Sequence, residues 1–532
     1  MKIFFSLMSM AVFLSFTDGH GLPGLADSLS HPPAATGGFA YNLFRLPGIP
    51  GAEYVDPVFG STVRRLTADS VGDDLYARNM WWSADGKLYL HRNTNGTQWA
   101  DYWAVIEAAT GRTTHQGIPI GLASDGGFDP VEPDILYYLS GGSIHKITLN
   151  PDATWDDSIY FTAPGGATIG SLGGTLNWLD ASGRYMVLRY GAEPSLYLYD
   201  RQNLAAGPYA GAIDGSTNID AGSYVGITPD GKYLVGYDYT FSPRNMGMGT
   251  SWLIDHANRQ VGAPTRFWSL CGDHGTFISC SDGRDYMIVS NCNNYPEIWR
   301  VDITHDAQGL TEEEEKALPN NRRLLRFPNW NQGVHFSSVA RGLLKDWVFI
   351  ASEDGSDTFN GGTADVDGNV TPWFSYRQEI IGFNVLSGEI RRLAHHRSRS
   401  VNANYYYTQR LSASWEGEYV AFASNFNQPG VVDEYAIPFG ATSETKTEVR
   451  AAPGNALKIS PNPFNRSISF QAENLRNARI SIFSAAGRLL FQQNNIGSNT
   501  VVWHADRLPS GIYLAAIKIR GQTFWQKLCL IK

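Results

Sequence analysis

"TPDGKYLVGYD" (228–238) sets a Thr-Pro-Asp-Gly turn against a run of aromatic and branched apolar side chains. Glycine after aspartate supplies the left-handed backbone a tight hairpin needs, and Tyr, Leu and Val fit a pleated, half-buried surface. The stretch therefore predicts one β-hairpin. What decides the fold is that it returns. The chain repeats it as "SADGKLYLHR" (83–92), "DASGRYMVLRY" (180–190), "SDGRDYMIVS" (281–290) and "SWEGEYVAFAS" (414–424), with looser copies in "DPVEPDILYYLS" (129–140) and "ARGLLKDWVFIAS" (340–352). Seven units result, spaced by about 50 residues at first and about 60–70 later.

Several units add a further strand that ends in a polar turn, as in "SLYLYDRQN", "WLIDHANRQ" and "IIGFNVLSGEIRRL". A repeat of this length with three or four short strands fits a β-propeller blade better than a solenoid coil. The expectation is an all-β chain with a seven-bladed β-propeller over about residues 50–440. The early strand "STVRRLT" (61–67) can pair into the last blade, closing the ring and protecting its sheet edges. The wider late spacing marks insertions. In "TEEEEKAL" (311–318), Thr311 followed by Glu314 predicts a capping box on a short helix. "SEDGSDTFNGGTADVDGNV" (352–370) reads as a solvated loop, its "DVDGN" an incomplete calcium ladder.

Composition narrows the class. Net charge is −9 and no basic stripe occurs, which argues against a nucleic-acid partner. Residues 1–19 carry one Lys before a short apolar run and read as a secretory signal peptide, followed by a linker over 20–49. No other stretch is long and apolar enough for a transmembrane span. The four cysteines do not make a disulfide framework, although Cys271 could bridge to Cys280 or Cys292, or a thiolate could bind a metal. No phosphate-cradling loop, HExxH, Gly-x-Ser-x-Gly elbow or paired CxxC is present.

After a polar linker at 441–456, residues 457–532 run in short alternating strands and turns that predict a small β-sandwich. Pro461-Asn462-Pro463, the Ala485-Ala486-Gly487 turn, Leu508-Pro509-Ser510-Gly511-Ile512-Tyr513 and the closing strand resemble the C-terminal sorting domain of type IX secretion substrates. The resemblance implies the type IX secretion machinery as a partner and a destination outside the cell or on the outer-membrane surface.

In a propeller, residues at matching distances before the turns meet around the axis. Here those positions hold Asn79, Asn177, Tyr224, Asp273, His274, Gln332, His335 and Arg410, a polar ring at one mouth of the channel. His274 and His335 fall on consecutive units, where with Gln332 or Asp273 they could hold a divalent cation. A buried Asp and His tying a turn to its neighbour by hydrogen bonds would give the same pattern. His274 with Gln332-Gly333-Val334-His335 resembles the metal site of propeller-type oligogalacturonate lyases, and residues 391–426 resemble the last-blade segment of a wider group that includes propeller ulvan lyases. One departure stands out: those lyases carry another His two residues on, where this chain has Ser337.

The resemblance implies a carbon–oxygen lyase acting on an acidic polysaccharide or oligosaccharide, with a divalent metal (Mn, Zn or Ca) on His274, Gln332, His335 and Asp273. Elimination needs a neutralised carboxylate and a base that reaches the proton beside it. Arg410 or Arg397 would assist the first task, and His395, His396 or Tyr224 would serve as base. Asn79, Asn177, Trp81, Trp330 and Tyr405 are candidate substrate contacts, the aromatic ones either stacking on sugar rings or filling the core. The alternative is a non-catalytic surface propeller that binds glycan or protein.

Overall fold

The computed structural model describes residues 22–27, 49–68, 72–73, 78–94, 101–119, 126–172, 176–191, 195–211, 213, 224–237, 249–270, 272–291, 297–327, 334–352, 376, 378–398, 410–426 and 432–440 of a first compact unit. In a second unit it describes 458–462, 464–471, 479–484, 489–493, 499–506, 508–519 and 522–532. The signal-peptide stretch, the "DVDGN" loop, Cys271, Cys292, Trp330, Gln332 and Tyr405 lie outside the described residues. For Tyr224 and Asp273 only the backbone is described.

Among the described residues the first unit contains seven antiparallel sheets, and in five of them the strands follow one another in chain order. The turn that opens four of the repeats works by one device. In the fourth sheet Thr228 N donates to Tyr233 O at 3.0 Å, Tyr233 N donates back to Thr228 Oγ1 at 3.1 Å, and Gly231 N closes the turn on Thr228 O at 2.9 Å. Asp230 accepts from Thr228 Oγ1 and from Lys232 N, which explains why an Asp or a short hydroxyl residue recurs there. Ser83, Asp180 and Ser414 repeat the bond to the returning strand through Leu88, Tyr185 and Tyr419.

Neighbouring sheets are joined near their first strands. Gly127 packs on Met80, Arg201 of the third sheet reaches Asp129 of the second, and Ala181 N donates to Pro229 O. Asp230 N donates to Ser279 Oγ, Ser338 Oγ to Phe277 O, and Ala413 N to Ser337 Oγ. Trp82 Nε1 donates to Ser412 O, and Trp415 Nε1 donates to Trp82 O, which returns the path from the seventh sheet to the first. The result is a propeller-like ring with a shared hub.

The ring closes as the sequence suggests. Thr62–Arg65 pairs with Asp433–Pro438, placing an N-terminal strand in the sheet that carries Leu411–Ala413 and Tyr419–Ser424. Thr67 Oγ1 donates to Asp433, and Arg65 forms an ion pair with the same carboxylate. One pairing was not legible: Leu25–Asp27, inside the stretch read as a linker, adds an edge strand to Ile390–His395. Three residues are too few to show a period. The short helix Glu312–Lys316 carries the expected capping box between Thr311 and Glu314.

Cys280 is a buried free thiol, so the 271–280 bridge is not formed. Burial pushes its thiol well above the ordinary range and keeps it protonated, unsuited to be a thiolate ligand. In the second unit, two sheets of three and four strands share one core that includes Phe464, Ile468, Ile482, Trp503, Tyr513 and Leu528.

Candidate functional site

His274 lies near the start of Gly272–Ser279, the first strand of the fifth sheet, and His335 near the start of Val334–Ser338, the first strand of the sixth. Repeat register alone places the two imidazoles together, and their ring centroids are 4.4 Å apart at an interplanar angle of 44°. His335 is buried and His274 half-buried. Ser337, at the position of the missing histidine, accepts from Ala413 N at 3.0 Å. It joins the sixth and seventh sheets instead of facing a ligand. Among the described residues no group of three or more His, Cys, Asp or Glu side chains is arranged to hold a metal ion. Two imidazoles suit a divalent cation, and the remaining donors of the set, Gln332 and the Asp273 side chain, are outside the description.

Arg410 is half-buried at the entrance to Leu411–Ala413, on the strand beside that of His335. The other basic candidates are set differently. His396 is fully buried, its Nε2 on Ser352 O at 2.7 Å and its Nδ1 accepting from Ser398 N at 3.1 Å. With both ring nitrogens engaged it is a neutral strut. His395 is 1% exposed, packs on Phe59 and donates its backbone N–H to Asp56. Burial, reinforced by the charges of Arg397 and Arg392, holds its imidazole well below the usual value. Arg397 is also 1% exposed, near the ring of Tyr54. All three are enclosed at the junction of the sixth sheet with the N-terminal segment, out of a polymer's reach.

The asparagines meet at the hub. Asn79 Nδ2 donates to Ser338 O at 2.5 Å and Ala413 O at 3.1 Å, and Asn177 Nδ2 donates to Asn79 Oδ1 at 3.2 Å. Asn79 therefore binds the first, third, sixth and seventh sheets across the axis. Trp81 is fully buried beside Trp103 and offers no face to a sugar.

Two hub residues escaped the sequence reading. Arg341, in the first turn of the sixth sheet, donates to Pro130 O, Ala181 O and Ala84 O at 2.5, 3.0 and 2.6 Å. Arg78, 4% exposed, has its guanidinium 4.8 Å from the Trp81 ring and accepts at its backbone oxygen from Ser412 Oγ. The three carbonyls that Arg341 reaches lie on remote sheets, and Arg78 meets the seventh sheet through its backbone oxygen, so neither contact has a local spacing to find.

Residues 458–532 match the family model described as a secretion system C-terminal sorting domain, in agreement with the motifs read from the sequence. No curated protein matches the chain. Among solved structures, the β-propeller domain of Cps50 (Swd1) from Myceliophteria thermophila is similar at 11% identity and a TM-score of 0.34, over 70% of this chain and 99% of that one. Sqt1 of Chaetomium thermophilum, bound to the N-terminus of ribosomal protein L10, gives 12% and 0.37 over 66% and 81%. A putative 6-phosphogluconolactonase from Bacteroides uniformis gives 12% and 0.35 over 63% and 90%. At these values neither activity nor partner passes from those proteins to this chain. No helix among the described residues is long and apolar enough to cross a membrane.

Proposed function

We propose that this chain is an exported seven-bladed β-propeller followed by a β-sandwich sorting domain, and that the propeller cleaves a uronate-containing acidic glycan by β-elimination. The observation that carries the reading is the 4.4 Å approach of the His274 and His335 rings. A divalent cation on His274, His335, Gln332 and Asp273 would neutralise the carboxylate beside the proton to be removed. Arg410, just before the neighbouring strand Leu411–Ala413, would hold that carboxylate in place. The burial of His395 and His396 leaves Tyr224, whose backbone lies on the first strand of the fourth sheet, as the base, a role that requires an acidified phenol. As a phenolate, Tyr224 would take the proton beside the carboxylate, the electron pair would form the new C=C bond, and the glycosidic oxygen would leave from the adjacent carbon with the C–O bonding pair and take a proton from water.

A second reading draws on Ser337. Because its hydroxyl is used between sheets, the hub also reads as scaffolding for a non-catalytic surface that binds glycan or protein. Incubation of the purified protein with pectic and ulvan-type uronates separates the two. The lyase reading expects ultraviolet absorbance from an unsaturated product, one bound divalent ion by elemental analysis, and a loss of about a hundredfold or more in His274→Ala and His335→Ala. No product from any uronate, together with no bound metal, selects the binding reading.

A further inference from the structure

His274 does not sit in a regular strand. From Gly272, opposite Asn291, to Gly275, opposite Val289, the strand Gly272–Ser279 takes three steps while its partner Asp285–Asn291 takes two. Asp273 and His274 therefore both stand against Ser290, a β-bulge. The first strand of the sixth sheet has no such break: Val334–Ser338 pairs with Trp347–Ser352 residue for residue, with His335 opposite Ala351. One ring of the pair thus comes from a bulged strand and the other from a regular one. A bulge bends its strand and re-aims the side chains it carries, at the expense of ladder hydrogen bonds. The backbone groups taken out of the ladder need other partners.

Ser290 serves His274 in this way. Its Oγ accepts from His274 N at 3.3 Å and donates to His274 O at 3.3 Å, and the residue is buried. Ser352 and Ser424, at the ends of the second strands of the sixth and seventh sheets, donate instead to Tyr376 O and His396 O, away from their own first strands. Two further contacts hold the residues that follow. Tyr237 Oη of the fourth sheet donates to Gly275 O at 3.1 Å, and Thr276 Oγ1 lies 3.3 Å from Ser338 Oγ of the sixth. The segment after His274 is thus tied to both neighbouring sheets, and His274 itself is tied through Ser290 to its own second strand.

We infer that Ser290 is a positioning residue: it braces the Asp273–His274 bulge and so sets the His274 imidazole against that of His335. It acts through the backbone of His274 rather than by contact with a ligand. The inference rests on the reading that this imidazole pair is the working site, and it adds the residue that keeps the pair in place.

Crystals of the full chain as wild type, Ser290→Ala and Ser290→Thr, with calorimetric titration of each by zinc chloride alone, test it. In Ser290→Ala the ring centroids should separate by about 1 Å or more, and zinc affinity should fall about tenfold or more. The thermal midpoint without metal should stay near that of the wild type. Ser290→Thr keeps the hydroxyl and should recover both the ring separation and the affinity. A Ser290→Ala crystal in which the bulge persists and the rings remain 4.4 Å apart overturns the inference. So does a loss of affinity that follows a fall in thermal midpoint and is not recovered by threonine, because that is a general loss of packing. If zinc does not bind the wild type, the metal-assisted reading fails, and the ring separation in the Ser290→Ala crystal decides the inference by itself.

Discussion

Asp285 is 1% exposed, and its Oδ1 accepts from Ser279 Oγ at 2.5 Å while Lys232 Nζ stands 4.0 Å from its other oxygen. Asp230 shares that lysine at 2.5 Å, so two carboxylates crowd one ammonium where the fourth and fifth sheets meet. Burial first, and the charge of Asp230 second, push the Asp285 carboxyl up to about 7. A carboxyl whose folded value exceeds its unfolded value of about 3.9 binds its proton more tightly in the native state. The stability it contributes is complete below about pH 4 and is lost as pH rises through 7. In Asp285→Asn, which keeps the acceptor for Ser279, that loss should vanish. The midpoint of the variant in urea should gain on the wild type between pH 5 and pH 8, and parallel curves would refute the assignment. At this scale the sequence reveals side chains whose partners share a repeat position, as His274 and His335 do. It conceals Asp285, because a carboxylate on a strand after an Asp-Gly turn looks solvated until the neighbouring sheet covers it.

The hairpin is the element the chain repeats, and its legibility has a physical basis. The Asp or hydroxyl residue satisfies the returning strand, and glycine takes the positive φ, so the chemistry of the turn is local and appears in the sequence. The looser copies keep the function by other means: Asp129 accepts from Val131 N and Glu132 N without any glycine. The edge strand Leu25–Asp27 and the hub contacts depend on sheets far away in the chain, and no turn chemistry announces them. Two glycines separate the local from the remote requirement. Gly283 has φ of +82° in the turn of the fifth sheet, with open space around a prospective Cβ. Gly226 has ordinary extended backbone on the fourth inner strand, but a Cβ there would lie 2.7 Å from both Asn177 O and Leu176 Cβ. Gly283→Ala should therefore cost about 1–2 kcal/mol from backbone strain alone. Gly226→Ala should cost about 3 kcal/mol, because the third sheet must move away from the hub. Equal urea midpoints for the two variants would mean that the hub is not close-packed at that level.

Closing the sheets of the first unit into a propeller-like ring leaves one problem at the scale of that unit, the polar backbone groups that meet at the hub. The first strands bring carbonyl groups of their turns together, and these need donors that no single sheet supplies. Asn79 answers at one level, through Ser338 O and Ala413 O, and Arg341 at another. From the sixth sheet Arg341 reaches the turn carbonyls of the first, second and third sheets, with its guanidinium 5.6 Å from the Trp415 ring of the seventh. One side chain thus spans sheets that are not neighbours in the ring. The N-terminal strand Thr62–Arg65 seals the circumference by pairing with Asp433–Pro438. Arg341 acts from inside, and loss of either should loosen the ring as a unit. Arg341→Met keeps the apolar stem against Trp415 and removes the donors. Three charge-assisted bonds are lost, partly offset by water returning to exposed turns, so the expected cost is about 2–4 kcal/mol. Arg341→Lys restores the charge but not the planar fork that divides its bonds among three carbonyls, and it should recover less than half of the loss. Urea unfolding of the full chain followed by tryptophan fluorescence measures both. If Arg341→Met unfolds within about 0.5 kcal/mol of the wild type, the axial carbonyls are held by the sheets themselves and the arginine is incidental.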